Sequence, residues 1–308
     1  MNKLLVFKPN ITLRDLSDPY YYGPFYTSYA FAYEDNDYYY ALPGKVKLNA
    51  LPRTEKKTSR YPTLEDWIKE HFKATDIRLS KHQPGQFYKR MWHPPDYLPR
   101  KKLISNPEGF TQSLIVIELL IRKMQELFLT VEPCRKNLFS FGHKIRELLL
   151  LACMEVETSW VGILKEHEYT KNRYKTNDYV KLLEPMCLAN YELALRWYPN
   201  FPSFKPFSCW NVNRPTKSLY WYDAYNATKH DREAHLNRAT LLNAVHAVGA
   251  VVVMFSAQYG IEQNESLFNI INSAFVIDFE YCPERFYIPF RRENVSSSLE
   301  FSEAKYSF

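Results

Sequence analysis

The sequence predicts a mainly α protein. An antiparallel helical bundle spans residues 109–260, a smaller aromatic and β-rich module occupies residues 1–108, and strand-like runs in residues 261–308 join that module. From Asn106 onward apolar residues recur at the period of a helix face. Before that point the chain carries nine tyrosines between Tyr20 and Tyr40 and strand-like runs on either side of Pro43-Gly44. Aromatics make up 16% of the 308 residues and only 8 are glycine, which excludes a low-complexity or disordered chain.

In chain order, the apolar run after Met1 is interrupted too early for a signal-peptide core. Tyr38–Leu42 and Lys45–Leu48 read as a hairpin. Thr63 to Phe72 reads as a short helix, with Thr63 as cap and Glu65-Asp66 in its first turn. The proline-rich run His93–Pro99 reads as a linker. Leu114, Ile117, Ile121, Met124 and Phe128 then share one helical face, and Pro133 follows its end. A second helix runs from about Ser140 to His167, with Ile145, Leu149, Ala152, Val156, Trp160 and Ile163 on one stripe. Thr176-Asn177-Asp178 offers caps for a third helix reaching about Tyr198, bent near Pro185. Residues 199–217 read as an irregular insert, and a fourth helical section starts near Ser218. The next helix is capped by Asn237, buries Leu241, Val245, Val248, Val252, Phe255 and Tyr259, and stops at Gly260. Phe275–Phe279 and Arg285–Phe290 are strand-like and are expected to pair with the N-terminal sheet.

The net charge of +6 is uneven: Lys45 to Lys102 holds 15 Lys/Arg against 6 Asp/Glu, a local +9 that leaves about −3 for the rest. Such a basic segment fits either a polyanionic partner or a solvated surface. Cys134, Cys153, Cys187, Cys209 and Cys282 lie far apart without zinc-knuckle spacing, so they read as reduced packing residues of a cytoplasmic protein. The apolar segment Val245–Ala257 is interrupted by His246, a core histidine, and is too short to cross a bilayer; no membrane association is expected. Neither a metal site nor a cofactor is expected, because Glu166-His167 lacks a third ligand at metal-motif spacing and no phosphate-binding glycine loop occurs.

The densest polar stretch is Tyr225-Asn226-Ala227-Thr228-Lys229-His230-Asp231-Arg232, directly before the most apolar helix. Burying such groups for stability alone is costly, so the stretch marks a site. It resembles the HEPN superfamily, whose ribonuclease members carry Arg-Asn-x-x-x-His in a helical bundle. Asn226 and His230 match that pattern, whereas Tyr225 stands where the arginine is expected. The resemblance covers residues 109–260. It implies a HEPN-like bundle and a metal-independent ribonuclease, in which the RNA 2′-hydroxyl attacks the adjacent phosphate. His230 is the acid/base, and Asn226, one turn away, orients the ring or donates to phosphate. Lys229 and Arg232 are the cations that stand in for the missing arginine. Tyr225 contributes a hydroxyl or stacks on a base. The resemblance further implies RNA as partner, a homodimer with two facing motifs, a regulatory protein partner as trigger, and a place in bacterial defence or a toxin system.

A second class of reading stays open: a non-catalytic bundle used for dimerisation or for nucleic-acid or partner binding. In it, His230 and Arg232 form a polar network with Glu155 or Glu157 of the second helix. Asp231 is a supporting residue of the motif, and Arg146-Glu147 at the start of the second helix either reaches the site or forms an exposed ion pair. The tyrosine cluster likewise reads either as an RNA-stacking platform or as the core of a small β module.

Overall fold

Period-two apolar runs in the first third and period-3.6 runs thereafter fold into two separate units. In the computed structural model, which describes residues 3–10, 29–43, 53–91, 107–260, 265–279 and 302–308, one unit comprises Met1–Tyr88 with Tyr281–Ala304 and the other Lys89–Glu280 with Lys305–Phe308.

The first unit holds β1 (Leu5–Lys8), β2 (Ala30–Glu34), β3 (Tyr38–Pro43), β4 (Arg53–Lys56), α1 (Leu64–Phe72) and β5 (Thr75–Leu79). The strands form an antiparallel sheet in the order β4-β3-β2-β1-β5. Register places Leu5 opposite Ala32 and Ala32 opposite Ala41, so these small and apolar side chains align on the face that packs with Trp67 and Ile68 of α1. Thr63 caps α1 by accepting from Asp66 N at 3.2 Å, as its sequence position predicts. Tyr33, Tyr39 and Tyr40 are core residues: Tyr39 stacks on Trp67 and donates to Tyr61 O at 2.7 Å, and Tyr40 donates to Asp35 Oδ2 at 2.6 Å. For these three the core reading holds, and buried rings cannot stack on RNA. Short β6 (Gln86–Phe87) pairs in parallel with β9 (Ser302–Glu303). The partner strand expected at Lys45–Leu48, the linker at His93–Pro99 and the run Arg285–Phe290 lie outside the described residues.

The second unit is built from α2 (Pro107–Phe128), α3 (His143–Glu166), α4 (Thr176–Tyr179), β7 (Tyr191–Leu195), α5 (Tyr220–His230), α6 (Arg232–His235), α7 (Leu241–Tyr259), α8 (Glu265–Ala274) and β8 (Phe275–Phe279). All six stripe residues predicted for α3 are buried, and α3 packs most extensively against α7. The apolar stretch is longer than Val245–Ala257: the whole of α7 has enough length and apolarity to cross a bilayer. It is nonetheless buried continuously from Ala244 to Gln258 among the other elements, the environment of a core helix. Its cap is Thr240, accepting from Asn243 N at 3.2 Å, rather than Asn237.

Two expectations fail here. The third long helix is replaced by α4, two 3₁₀ turns and the strand β7, because Pro185 cannot continue a helix and Tyr191, Leu193 and Leu195 alternate inward with period two. Phe275–Phe279 pairs antiparallel with β7, from Tyr191↔Phe279 to Leu195↔Phe275, and not with the N-terminal sheet. The backbone at Leu193 also pairs with Phe204, through bonds of 2.8 and 2.9 Å.

Gly249 lets α7 approach this layer. A Cβ there would stand 2.6 Å from Phe204 Cε2 and 2.9 Å from Leu193 Cδ1. Gly249→Ala therefore sets a helix-propensity gain of about 1 kcal/mol against an overpacking cost of about 1–3 kcal/mol. Because a phenyl ring cannot bend aside, net destabilisation is expected and reads as a lower urea midpoint. An unchanged or higher midpoint contradicts this.

His246 is the core histidine its neighbours predict: buried, stacked at 4.1 Å on Phe204, and accepting through Nδ1 from the Tyr220 hydroxyl at 2.6 Å. Burial pushes its pKa from 6.5 down to about 3. The unfolded chain takes up a proton near 6.5 and the folded one only near 3, so stability is complete above pH 6.5 and falls as pH drops through that window, by up to about 1.4 kcal/mol per unit. Burial raises the Glu155 carboxyl from 4.5 to about 7, with Arg90 opposing, and this acts with the opposite sign between those values. Urea midpoints at several pH values should therefore fall less steeply below pH 6.5 in His246→Leu than in the wild type. Parallel curves for the two proteins would remove His246 as the source.

Around Trp160 of α3 lies an aromatic core. Tyr179 and Trp210 stack on it at 4.9 and 5.0 Å, and Tyr222 meets it edge-on at 5.4 Å. Trp210 and Trp221 donate their indole N–H groups to Pro215 O and Pro206 O, both at 2.9 Å, whereas the buried Trp160 Nε1 has no acceptor among the described residues.

Candidate functional site

Helix α5 carries the polar motif on its last two turns, and its ends are fixed by charge. In the first turn Asp223 accepts from Lys217 Nζ at 2.9 Å and from Arg238, which hold its carboxyl below the usual range against the opposing cost of burial. At the other end Asp231 leaves the helical region (φ −140°, ψ 85°) and caps α6 by accepting from Ala234 N at 3.0 Å. Asp231 is thus the hinge between two helices. Lys229 and His230 close α5, where cations complement the negative helix end.

Arg146 of α3 donates Nε and Nη2 to Thr228 O at 3.1 and 2.8 Å. This pair of bonds satisfies one carbonyl that the helix end leaves without an intrahelical partner. The Thr228 side chain turns inward, where its hydroxyl donates to Ala224 O at 2.9 Å. Arg146 therefore positions the motif by binding backbone.

Tyr222 and Tyr225, three residues apart on one face of α5, both donate to Glu157 of α3: Tyr222 to Oε1, and Tyr225 to Oε2 at 3.4 Å. Lys229 Nζ donates to the Tyr225 hydroxyl at 2.9 Å and stands 4.9 Å from that ring's centroid. Burial, then the hydrogen bond to Glu157, pushes the Tyr222 phenol far up. Burial also raises that of Tyr225, and the bond from Lys229 works against it. The bond to Tyr225 in turn raises the Lys229 ammonium. These shifts keep both phenols protonated and Lys229 charged at neutral pH.

The polar network is real, but its members differ from those the sequence nominates. Glu157 binds two tyrosines and not His230 or Arg232. Glu155, two residues earlier, sits about 200° around the helix and meets the field of Arg90, away from the motif. Tyr225 has a buried ring and a committed hydroxyl, so it can neither stack on a base nor turn to a phosphate. Tyr222 escaped notice although its spacing from Tyr225 shows that the two share a face.

Asn226 is half-buried, and His230 and Arg232 are exposed. The side chains of all three are without a hydrogen bond or ion pair to any described residue. The i, i+4 spacing puts Asn226 and His230 on one helical face, and Arg232 follows just beyond the Asp231 hinge. Chemically this is an amide, an imidazole and a guanidinium with donors to spare at one end of a rigid helix. Among the described residues no three His, Cys, Asp or Glu side chains group into a metal-binding cluster. Comparison with family models, curated proteins and solved structures finds no match for this chain.

Proposed function

We propose that the second unit is a HEPN-like bundle acting as a metal-independent ribonuclease, with His230 as acid/base, Asn226 orienting it or donating to phosphate, and Arg232 balancing the charge that grows on phosphorus. The observation that carries this reading is a division of labour within the motif. Tyr225, Lys229 and Asp231, with Arg146 of α3, are engaged in holding the fold, whereas the side chains of Asn226, His230 and Arg232 bond to no described residue. General acid–base catalysis by an imidazole contributes about 10²–10⁴ in rate. A guanidinium supplies paired donors to phosphate oxygens. Lys229 keeps donors beyond the one given to Tyr225 and stands beside the same helix end.

The test is cleavage of RNA by the purified full chain in the presence of a chelator. Cleavage that persists there supports the reading. A folded chain that cleaves no RNA under any condition counts against it.

A second reading, a non-catalytic bundle that binds nucleic acid or a partner, draws on a specific observation: the position that the HEPN pattern gives to arginine holds Tyr225, locked between Glu157 and Lys229. It predicts RNA or partner binding with no cleavage by wild type or variants.

A further inference from the structure

The segment from Arg135 to Arg146 leads into α3 and carries Arg135, Lys136, Lys144 and Arg146 without a single carboxylate. Arg135 and Lys136 are exposed and form no ion pair among the described residues. Between these cations stand Phe139 and Phe141, 73% and 54% exposed. Neither ring meets another aromatic ring among the described residues.

Their backbone is nevertheless firmly held. Leu241 N donates to Ser140 O at 2.8 Å, Leu242 N donates to Leu138 O at 2.9 Å, and Phe141 bridges Thr240. Both rings are thus displayed from a segment tied to the start of α7. A lone exposed apolar residue needs no explanation. Lys144 pairs with Glu147 at 3.4 Å and Arg146 is bonded to Thr228 O, which leaves Arg135 and Lys136 as the uncommitted cations. Two exposed phenyl rings on a held segment that also carries two uncommitted cations have the composition of a surface that stacks bases and neutralises phosphates. The same surface adjoins the candidate site, because Arg146 at the start of α3 grips Thr228 O, one residue before Lys229-His230.

We propose that Phe139 and Phe141, with Arg135 and Lys136, form a base-stacking platform for single-stranded RNA at the end of the bundle that carries His230. The choice of RNA over DNA rests on the ribonuclease reading; the stacking chemistry does not.

The test uses the full chain carrying His230→Ala, so that bound RNA stays intact, with fluorescence anisotropy of a short unstructured RNA and of DNA of the same sequence. Combining Phe139→Ala with Phe141→Ala should weaken RNA binding by about tenfold or more. Combining Phe139→Leu with Phe141→Leu should do the same, since leucine keeps apolar area but cannot stack. Combining Arg135→Gln with Lys136→Gln should lower the slope of log affinity against log salt by about 1.4, roughly 0.7 for each phosphate that is no longer neutralised. Circular dichroism and elution volume establish that each variant is folded.

Wild-type affinity in both phenylalanine pairs overturns the platform, as does the absence of any RNA binding by the parent chain. A leucine pair that keeps RNA affinity while the alanine pair loses self-association assigns the rings to a protein contact instead. Equal affinity for DNA overturns the choice of RNA. Binding through the platform with no cleavage by the wild type defeats the ribonuclease reading alone, whereas cleavage with unaltered affinity in the phenylalanine pairs defeats the platform alone.

Discussion

RNA cleavage by His230→Ala is expected to fall to background, while its thermal midpoint stays close to that of the wild type. The side chain is exposed and makes no bond to a described residue, so its removal leaves no buried donor or acceptor unpaired. Loss of an acid/base group costs about 10²–10⁴ in rate. Asn226→Ala and Arg232→Gln should follow the same pattern with smaller losses. Arg146→Gln should show the reverse profile. Its loss frees a helix-end carbonyl and lowers stability by about 1–3 kcal/mol, with activity reduced in step with the disturbed motif. Measured together, activity and melting separate residues that react from residues that hold. Normal cleavage by His230→Ala, or its unfolding, ends the catalytic assignment.

The largest stability effect is expected from Trp160→Ala. Its ring is fully buried between Tyr179 and Trp210 and meets Tyr222 edge-on. Emptying that volume costs about 3–5 kcal/mol. For a unit of this size each kcal/mol moves the midpoint by about 2–4 °C, so a fall on the order of 10 °C is expected. Trp160→Phe should be much milder, because the indole N–H it removes is buried without an acceptor among the described residues and already carries a penalty. Equal losses in the two variants would refute that role for the N–H. The alanine variant should also loosen Tyr222 and through it Glu157, so activity should decline before the unit unfolds.

How much the sequence discloses depends on whether one element suffices to reveal a pattern. The stripe from Ile145 to Ile163 is legible because a long helix repeats its signal several times, and the Thr63 cap is legible because its partners lie within four residues. β7 is not, since its alternation spans only Tyr191 to Leu195 and follows segments with good caps of their own. Its pairing with Phe275–Phe279 is hidden for a related reason: a strand states which face is apolar but not which edge it seeks. At the site, sequence density locates the motif and nominates a buried glutamate. It cannot say which glutamate, because Glu155 and Glu157 look alike until the rotation of α3 is fixed by its packing. Nor does it show that tyrosines rather than His230 would satisfy Glu157.

The chain crosses between its two units at 88/89, 280/281 and 304/305, so neither unit corresponds to one uninterrupted stretch of coding sequence. A deletion beginning after residue 88 separates Gln86–Phe87 from the strand it pairs with at Ser302–Glu303. A stop before Lys305 removes Tyr306, whose amide donates to His167 Nδ1 at 3.1 Å while Nε2 of that ring bonds Lys89 O. Exchange of the segment before residue 89 would therefore split the first unit, whereas a crossover between residues 89 and 280 would split both.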